Sequence, residues 1–206
     1  MKYTDVAWDF DGTLVNSYPN CIRAFREAVE SFGYTADDEI IRKKMTLTIR
    51  HAIEYYSEKY ELDGEELRAR YKGLEGFRPD LVHLYPEVAE TLKAIKESGR
   101  RNHLYTNRNQ LALRYLEALG VLEYFDGLIT AENIGKLKPE PDGMIRLMEQ
   151  YQVETRKMLM VGDRAVDIVS AKNAGADGCF YNTNGIEVPE GTDIVVKHLT
   201  DLLNYL

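Results

Sequence analysis

The chain has 206 residues, of which 44% are hydrophobic and 29% charged, the balance of an ordinary soluble globular protein. This length is enough for one or two domains with a sizeable core. Lys and Arg total 26 and Asp and Glu total 34, giving a formal net charge of −8. That charge argues against nucleic-acid binding, which depends on the neutralisation of phosphates by basic side chains.

Location and redox state follow from three further observations. The N-terminus lacks the apolar run of a signal peptide, and no window approaches the ~18 apolar residues of a membrane span. Cys21 and Cys179 fit no metal-site spacing and indicate two reduced thiols. We therefore expect a cytoplasmic monomer or homodimer that does not associate with a membrane.

Short apolar segments alternate with helical patterns over most of the chain. Apolar runs that stop at a polar residue or glycine indicate buried strands, and apolar residues three or four apart indicate amphipathic helices. The alternation predicts a Rossmann-like α/β core, a parallel sheet with helices on both faces. The predicted strands are 6–8, 102–106, 127–130, 158–161 and 178–181; the predicted core helices are 88–95, 112–119 and 166–174; the tail, 193–206, is a short strand and a final helix.

One long stretch interrupts this alternation. Between residues 16 and 84 the periodicity indicates helices near 22–32, 49–56 and 67–74, with no convincing strand. We predict a core of residues 1–15 and 85–206 and an inserted all-helical domain of residues 16–84. Both ends of the insert join the core beside the first strand, so we expect it to lie over a site at that strand's carboxyl end.

Acidic side chains follow two of the predicted strands. Asp9 and Asp11 come directly after the first strand, and i and i+2 side chains of an extended chain point the same way. Two carboxylates on one side repel unless a cation or shared proton intervenes, and carboxylate oxygens suit Mg²⁺. Asp163 and Asp167 follow the fourth strand. Each pair also has a simpler interpretation, a solvated turn for the first and a helix N-cap at Asp163 for the second.

Three further residues predict a phosphate site at the same edge of the sheet. Thr106 and Asn107 end the second strand, where a hydroxyl can bond an anionic oxygen. Lys138 lies in a loop with two prolines, where it would supply positive charge for a phosphoryl group. Taken singly, each is also explained by an ordinary strand end or a solvated loop.

Taken in order, these segments resemble the signature of the haloacid dehalogenase-like superfamily of phosphohydrolases. Residues 9–14, Asp-Phe-Asp-Gly-Thr-Leu, match its first motif, Thr106 its hydroxyl motif, Lys138 its lysine motif, and Asp163 with Asp167 its Gly-Asp-x-x-x-Asp motif. The similarity spans residues 6–181. The insert stands at the family's C1 cap position, and phosphoglycolate phosphatase-like members are the most similar.

The resemblance implies a mechanism. Asp9 would attack phosphorus and form an aspartyl-phosphate, and Asp11 would act as general acid and then base. Mg²⁺ would be held by Asp9, the Asp11 backbone carbonyl and Asp163. Thr106, Asn107 and Lys138 would bind the substrate's phosphoryl group. Asp167 belongs to the same acidic set, as a metal ligand or as the residue that orders Lys138.

The substrate is expected to be a small phosphorylated metabolite. Asp11 excludes dehalogenases and phosphonatases, which lack an acid at this position. Cys21 stands where sugar phosphomutases carry His, which argues against a phosphomutase. Asn16 stands where many phosphatases carry Asp, a departure that concerns the choice of substrate and not the chemistry. A basic cluster in the insert, including Lys44 and Arg50, is either a substrate-selecting surface or a solvated helix face. The alternatives are a non-catalytic relative that binds a phosphorylated ligand or a protein, and, with less support, a phosphomutase or pyrophosphatase.

Overall fold

The computed structural model describes residues 2–183 and 185–206, and a six-stranded sheet is its largest element. All neighbouring strands of this sheet run parallel, in the order β5-β4-β1-β6-β7-β8, and the remaining two strands form a separate antiparallel pair. The strands are β1 (Asp5–Trp8), β2 (Val15–Asn16), β3 (His83–Leu84), β4 (Arg101–Tyr105), β5 (Phe125–Ile129), β6 (Met158–Gly162), β7 (Asp177–Tyr181) and β8 (Ile194–Val196).

The first strand lies inside the sheet, flanked by β4 and β6. Every residue of β1 is buried, because helices cover both faces of a parallel sheet. The carboxyl ends of β1, β4 and β6 are therefore neighbours, and the polar residues that follow these strands come together at one edge.

The chain divides into two compact units. One comprises the chain up to Asn16 together with His83–Leu206, and the other comprises Ser17–Val82. The predicted boundaries at 16 and 84 differ slightly from this division. Asn16, His83 and Leu84 belong to the sheet-containing unit because β2 pairs with β3 there.

The Ser17–Val82 unit contains four helices, namely α1 (Tyr18–Glu30), α2 (Asp38–Met45), α3 (Ile49–Tyr60) and α4 (Gly64–Glu75). Three aromatic rings pack within its core: the centroid of the Phe25 ring lies 5.5 Å from that of Tyr56 and 5.8 Å from that of Tyr71. Three of the helices match the predicted ones. The fourth, α2, has five charged and three apolar residues and buries only Ile41, so its apolar periodicity was too weak to detect.

Four helices belong to the sheet-containing unit, namely α5 (Val88–Glu97), α6 (Leu111–Ala118), α7 (Asp142–Tyr151) and α8 (Ala165–Asn173). Helix α7 was not predicted, although Met144, Leu147 and Met148 pack with Ala7 and Met160 of the sheet. On the opposite face, the Asn102 side chain donates to the Leu92 carbonyl of α5. The predicted α/β core with helices on both faces is confirmed.

The tail and the cysteines agree in part with expectation. Strand β8 is the predicted short strand, but the predicted final helix is a 3₁₀ helix, Leu199–Asn204. Neither Cys21 nor Cys179 forms a disulfide within the described residues. Across residues 2–183 and 185–206, no helix has the length and apolar character needed to cross a membrane.

Candidate active site

Three carboxylates meet where β1 and β6 end. Asp9, Asp163 and Asp167 each present an oxygen within 4.8 Å of those of the other two. Asp9 is only 1% exposed and Asp167 is fully buried. Burial and the neighbouring charge of Asp167 raise the pKa of Asp9, because both disfavour its ionised form.

Lys138 is the buried cation of this cluster. Its ammonium donates to Asp9 Oδ1 at 2.6 Å, to Asp167 Oδ1 at 2.6 Å and to the Tyr105 carbonyl at 3.0 Å. Burial alone would lower the pKa of Lys138, but the charges of Asp167 and Asp9 outweigh it and raise that pKa. Lys138 therefore remains charged and fixes one oxygen of Asp9.

Asp163 stands between the turn after β1 and the start of α8. Thr13 Oγ1 donates to Asp163 Oδ1 at 3.1 Å. Burial, followed by the charges of Asp9 and Asp167, raises the pKa of Asp163 to about 8. Asp163 is not the helix N-cap that its position suggested. That residue is Arg164, whose backbone N–H donates to Asp167 Oδ2 at 3.0 Å.

The turn after β1 must carry glycine at position 12. Gly12 has φ +89°, which favours glycine, and a Cβ there would lie 2.2 Å from Asp163 Oδ2. Backbone hydrogen bonds close this turn, from Gly12 to Val15 at 2.9 Å and from Val15 to Phe10 at 3.0 Å. The turn thereby brings the chain that carries Asp9 and Asp11 against Asp163.

Asp11 faces a different cation from Asp9. Arg108 Nε donates to Asp11 Oδ2 at 2.8 Å and lies 3.1 Å from Oδ1. The Arg108 side chain is 10% exposed, whereas that of Asp11 is 30% exposed. Asp11 is therefore the more solvent-accessible of the two carboxylates, and its orientation is set by Arg108.

Thr106 and Asn107 occupy the end of β4. The Thr106 hydroxyl accepts from the Arg108 backbone N–H at 3.0 Å. The Asn107 amide donates to the Lys138 carbonyl at 3.1 Å and accepts from the Lys138 N–H at 2.8 Å. Asn107, which the sequence predicts to bind substrate, thus also holds the Lys138 loop against the end of β4.

Lys44 and Arg50 belong to the helical unit. Lys44 lies in α2, where its ammonium is 4.4 Å from the centre of the Tyr55 ring, and Arg50 lies in the first turn of α3.

The other predicted site residues all lie in the sheet-containing unit. They are Asp9, Asp11, Thr106, Asn107, Lys138, Asp163 and Asp167.

Two arginines and one threonine at this edge were not assigned from the sequence. Arg108 contacts Asp11, Thr13 contacts Asp163, and Arg164 Nη2 lies 3.5 Å from Asp9 Oδ2. The sequence offered one indication of these three residues, which is that each of them lies next to or within a motif. Adjacency alone does not separate a site residue from a surface residue, because a side chain's direction depends on the turn that carries it.

The acidic cluster fits a divalent cation. Three carboxylates crowd a space where one lysine and one arginine supply the opposing charge. Burial is the first cause of the raised pKa values of Asp9 and Asp163, and the neighbouring carboxylates raise them further. Oxygen donors of this kind are the ligands that Mg²⁺ prefers.

Comparisons with known proteins agree with this geometry. The model of the haloacid dehalogenase-like hydrolases matches residues 6–180, most of the chain. The chain belongs to this family. The predicted family and enzyme class, a hydrolase of the phosphatase type, are confirmed.

Curated relatives cover nearly the whole chain. A phosphoglycolate phosphatase from Vibrio parahaemolyticus is 33% identical, over 96% of this chain and 93% of that protein. A protein from Caldanaerobacter subterraneus, provisionally named a pyrophosphatase, is 32% identical over 85% of this chain and 80% of its own length. A crystal structure from Haemophilus somnus, described as a predicted phosphoglycolate phosphatase, has a TM-score of 0.87 at 23% identity and covers 100% of this chain and 98% of that one. At this identity the last comparison supports the fold alone.

Proposed function

We propose that this protein is a magnesium-dependent phosphatase that hydrolyses a small phosphomonoester through an aspartyl-phosphate on Asp9. The observation that carries the proposal is the environment of Asp9. One of its oxygens is fixed by Lys138 at 2.6 Å, and the carboxylate lies in a cluster with Asp163 and Asp167. A buried carboxylate that is held by a cation and clustered with other acids is suited to nucleophilic attack on a phosphoryl group.

Asp9 and Asp11 divide the chemistry between them. Asp9 attacks phosphorus and carries the phosphoryl group, and Asp11 delivers a proton to the leaving oxygen. Asp11 then accepts a proton from the water that hydrolyses the aspartyl-phosphate. The greater exposure of Asp11, 30% against 1% for Asp9, suits a group that exchanges protons with water and with the leaving group.

The residues proposed to hold Mg²⁺ are Asp9, the backbone carbonyl of Asp11 and Asp163. When bound there, Mg²⁺ would screen Asp9 from the anionic phosphate and align the phosphoryl group. Asp167 completes the acidic set, but both of its oxygens already accept hydrogen bonds, from Lys138 and from the Arg164 N–H. We assign it to positioning Lys138.

Binding of the phosphoryl oxygens is assigned to Thr106 and Lys138. The Thr106 hydroxyl lies at the end of β4, and Lys138 contacts Asp9 directly. Charge accumulates on these oxygens in the transition state, so fixed donors and cations lower the barrier. Asn107 supports Lys138 through its two hydrogen bonds to that residue's backbone.

The substrate class is proposed from the relatives and from the helical unit. Two curated relatives that are 33% and 32% identical are named phosphoglycolate phosphatases, and phosphoglycolate carries a carboxylate beside its phosphate. We propose that residues 17–82 act as the cap that selects the substrate, with Lys44 and Arg50 pairing such a second anion. A sugar phosphate remains the other substrate class to test.

The decisive experiment measures phosphate release from p-nitrophenyl phosphate with added Mg²⁺ and with excess chelator. We expect turnover that requires Mg²⁺ and disappears in Asp9→Asn, because the amide keeps the shape but is a poor nucleophile. Wild-type protein without turnover under either condition would instead favour a non-catalytic phospho-ligand binder. Near-wild-type turnover by Asp9→Asn would contradict the covalent mechanism.

A panel of phosphorylated metabolites then identifies the substrate. Phosphoglycolate, sugar monophosphates and inorganic pyrophosphate should be compared by kcat/KM for phosphate release. We expect monoesters to exceed pyrophosphate. A clear preference for pyrophosphate would favour the alternative raised by the relative from Caldanaerobacter subterraneus, and isomerisation of a sugar phosphate without phosphate release would favour a phosphomutase.

A further inference from the structure

Arg164 is placed unusually for a residue at the start of a helix. Its backbone caps α8, where the N–H donates to Asp167 Oδ2 at 3.0 Å. Its guanidinium extends to the nucleophile, with Nη2 3.5 Å from Asp9 Oδ2. The side chain as a whole is 37% exposed. One edge of the group therefore contacts Asp9 while part of it remains open to an incoming ligand.

The Nε atom of Arg164 is enclosed but unpaired. It has almost no accessible surface and no hydrogen-bond partner within residues 2–183 and 185–206. A buried donor without a partner is costly, so the guanidinium of Arg164 is not fully satisfied by the protein alone. Because Nη2 lies beside Asp9 and the side chain is partly exposed, an anionic oxygen bound in front of Asp9 is a suitable partner for the outer nitrogens of the guanidinium.

Lys138 can bind a phosphoryl oxygen only by giving up one of its present contacts. A lysine ammonium has three N–H donors, and those of Lys138 are directed at Asp9, Asp167 and the Tyr105 carbonyl. An arginine has five donors in a planar fork that matches two oxygens of a phosphoryl group. Of the two cations that contact Asp9, Arg164 is thus the one with donors available. The two oxygens of Asp9 also have different partners, since Lys138 fixes Oδ1 and Arg164 faces Oδ2.

We propose that Arg164 is a further catalytic residue, whose guanidinium binds the phosphoryl group during its transfer to Asp9. The proposal rests on the proposed phosphatase function. In this step Asp9 Oδ2 forms a bond to phosphorus, and the bond from phosphorus to the ester oxygen breaks. The leaving oxygen keeps the electron pair and takes the proton of Asp11. Arg164 donates to the non-bridging oxygens, where charge is spread in the transition state.

The competing explanation is that Arg164 only balances the charge of Asp9, Asp163 and Asp167. The two roles differ in what the loss of Arg164 changes. If Arg164 binds the phosphoryl group, its loss should weaken the binding of phosphate-like anions and slow the hydrolysis of every ester by a similar factor. If Arg164 only balances charge, its loss should change the stability of the protein and its affinity for Mg²⁺. The binding of phosphate-like anions should then stay unchanged, or change only as far as Mg²⁺ binding changes.

The test compares wild type with Arg164→Gln, Arg164→Lys and Arg164→Ala at saturating Mg²⁺. Arg156→Gln is the matched control, because Arg156 is an exposed arginine in the 3₁₀ turn before β6, at the opposite end of that strand. The readouts are kcat/KM for p-nitrophenyl phosphate and an alkyl phosphate, the inhibition constant of orthovanadate, the Mg²⁺ concentration for half-activation, and the melting temperature.

We expect Arg164→Gln to lower kcat/KM for both esters by about 10- to 100-fold and to weaken orthovanadate inhibition by a similar factor. The Lys variant should recover part of the loss. Added guanidinium should restore activity to Arg164→Ala, whereas the same concentration of tetramethylammonium should not. Arg156→Gln should match wild type in every readout.

Two outcomes would overturn the proposal. One is an unchanged orthovanadate constant in Arg164→Gln together with a shifted Mg²⁺ requirement or melting temperature, which is the behaviour of a counter-ion. The other is full activity in Arg164→Ala. Failure of the proposed function itself is distinguishable, because wild type would then release no phosphate from any ester.

Discussion

At the scale of single residues, the two aspartates of the first motif occupy different environments although they are two positions apart. Asp9 is buried against Lys138, and Asp11 is 30% exposed and paired with Arg108. The pairing of Asp11 is strong enough to orient it, yet its exposure leaves it open to a leaving group. This difference in surroundings is the physical basis for giving the two carboxylates different roles.

Replacing Asp11 with Asn should impair hydrolysis in a way that depends on the leaving group. An alkyl alkoxide needs a proton as it departs. For an alkyl phosphate we therefore expect the transfer of the phosphoryl group to Asp9 to slow by about 10²- to 10⁴-fold. p-Nitrophenolate departs without a proton and should be affected much less in that step. Single-turnover assays of both substrates measure the difference. An equal loss for the two substrates would contradict the role of Asp11 as the acid.

At the scale of secondary-structure elements, the site depends on how closely the turn after β1 approaches the segment after β6. Gly12 and Asp163 come from these two segments, and a Cβ on Gly12 would overlap the Asp163 carboxylate. Parallel neighbours β1 and β6 fix this approach through their hydrogen bonds. The geometry of the acidic cluster is thus a property of two strands and their turns.

A pair of glycine substitutions separates backbone strain from this close approach. Gly12→Ala and Gly99→Ala both place alanine at positive φ, +89° and +81°, but nothing lies within 4 Å of a Cβ on Gly99. Each should lose ~1–2 kcal/mol of unfolding free energy from the backbone alone. Only Gly12→Ala should also lose activity, because its methyl group displaces Asp163. Phosphate release and chemical denaturation measure the two effects, and full activity in Gly12→Ala would contradict the assignment.

The opposite, amino-terminal end of the sheet holds a buried polar network that joins β1 to β4. Asp5 is fully buried and accepts from Arg101 Nε and from His103 Nε2, both at 2.7 Å. An ionised carboxylate can only accept, so His103 carries its hydrogen on Nε2. Burial alone would raise the pKa of Asp5, but the hydrogen bonds from His103 and Arg101 outweigh it and hold that pKa below its usual value.

This network should make stability depend on acid pH. A carboxyl whose pKa is lower in the folded state stabilises the protein above its unfolded pKa of ~3.9, and this contribution is lost as the pH falls through the folded pKa. We expect Asp5→Asn to lose about 1.5–3 kcal/mol of unfolding free energy at pH 7. Its deficit relative to wild type should shrink below about pH 4.

Denaturant titrations between pH 7 and pH 3 measure that deficit. The exposed acid Asp201, in the C-terminal 3₁₀ helix, provides the control substitution Asp201→Asn, which should follow wild type throughout. A deficit of Asp5→Asn that stays constant or grows as the pH falls would show that the ionised form of Asp5 does not stabilise the fold.

At the scale of the whole molecule, we propose that phosphoryl chemistry and substrate choice are divided between the two units. All the residues proposed to act on phosphorus lie in the sheet-containing unit, and Lys44 and Arg50 lie in the helical unit. A core that binds the phosphoryl group of any ester can accept different substrates if a separate unit selects the leaving group. The two functions should therefore respond separately to mutation.

Neutralising both basic residues tests this separation. We expect Lys44→Gln combined with Arg50→Gln to raise KM for phosphoglycolate, because its carboxylate would lose two cationic partners. Each lost contact is worth ~1.5–3 kcal/mol if it is desolvated and much less if it stays hydrated. Hydrolysis of p-nitrophenyl phosphate should barely change, since that leaving group carries no second anion.

Steady-state kinetics across carboxylated, phosphorylated and neutral leaving groups measure the effect. Lys93→Gln combined with Lys96→Gln, on α5 of the sheet-containing unit, is the matched control for the loss of two positive charges. Identical kinetics for wild type and the Lys44, Arg50 variant over the whole panel would leave these residues as a solvated basic helix face.

The sequence by itself determined the class of fold and the residues of the motifs. The buried run at β1 and its counterparts are apolar because a covered parallel sheet excludes polar side chains, and that local pattern is legible without a structure. Asp9, Asp11, Thr106, Lys138, Asp163 and Asp167 were identified from their order and spacing. Helices α2 and α7 were missed for local reasons. Only Ile41 of α2 is buried, and the two prolines before α7 indicated a loop.

Only the tertiary structure decided which side chains meet. The contact between Lys138 and Asp9 joins residues 129 positions apart, and that between Arg164 and Asp9 joins residues 155 apart. No periodicity relates such positions. They are brought together by the placement of β1 between β4 and β6 and by the turns that follow these strands. Arg108, Arg164 and Asn107 therefore meet their partners through the sheet order and the turns after the strands, because these together set where each side chain points.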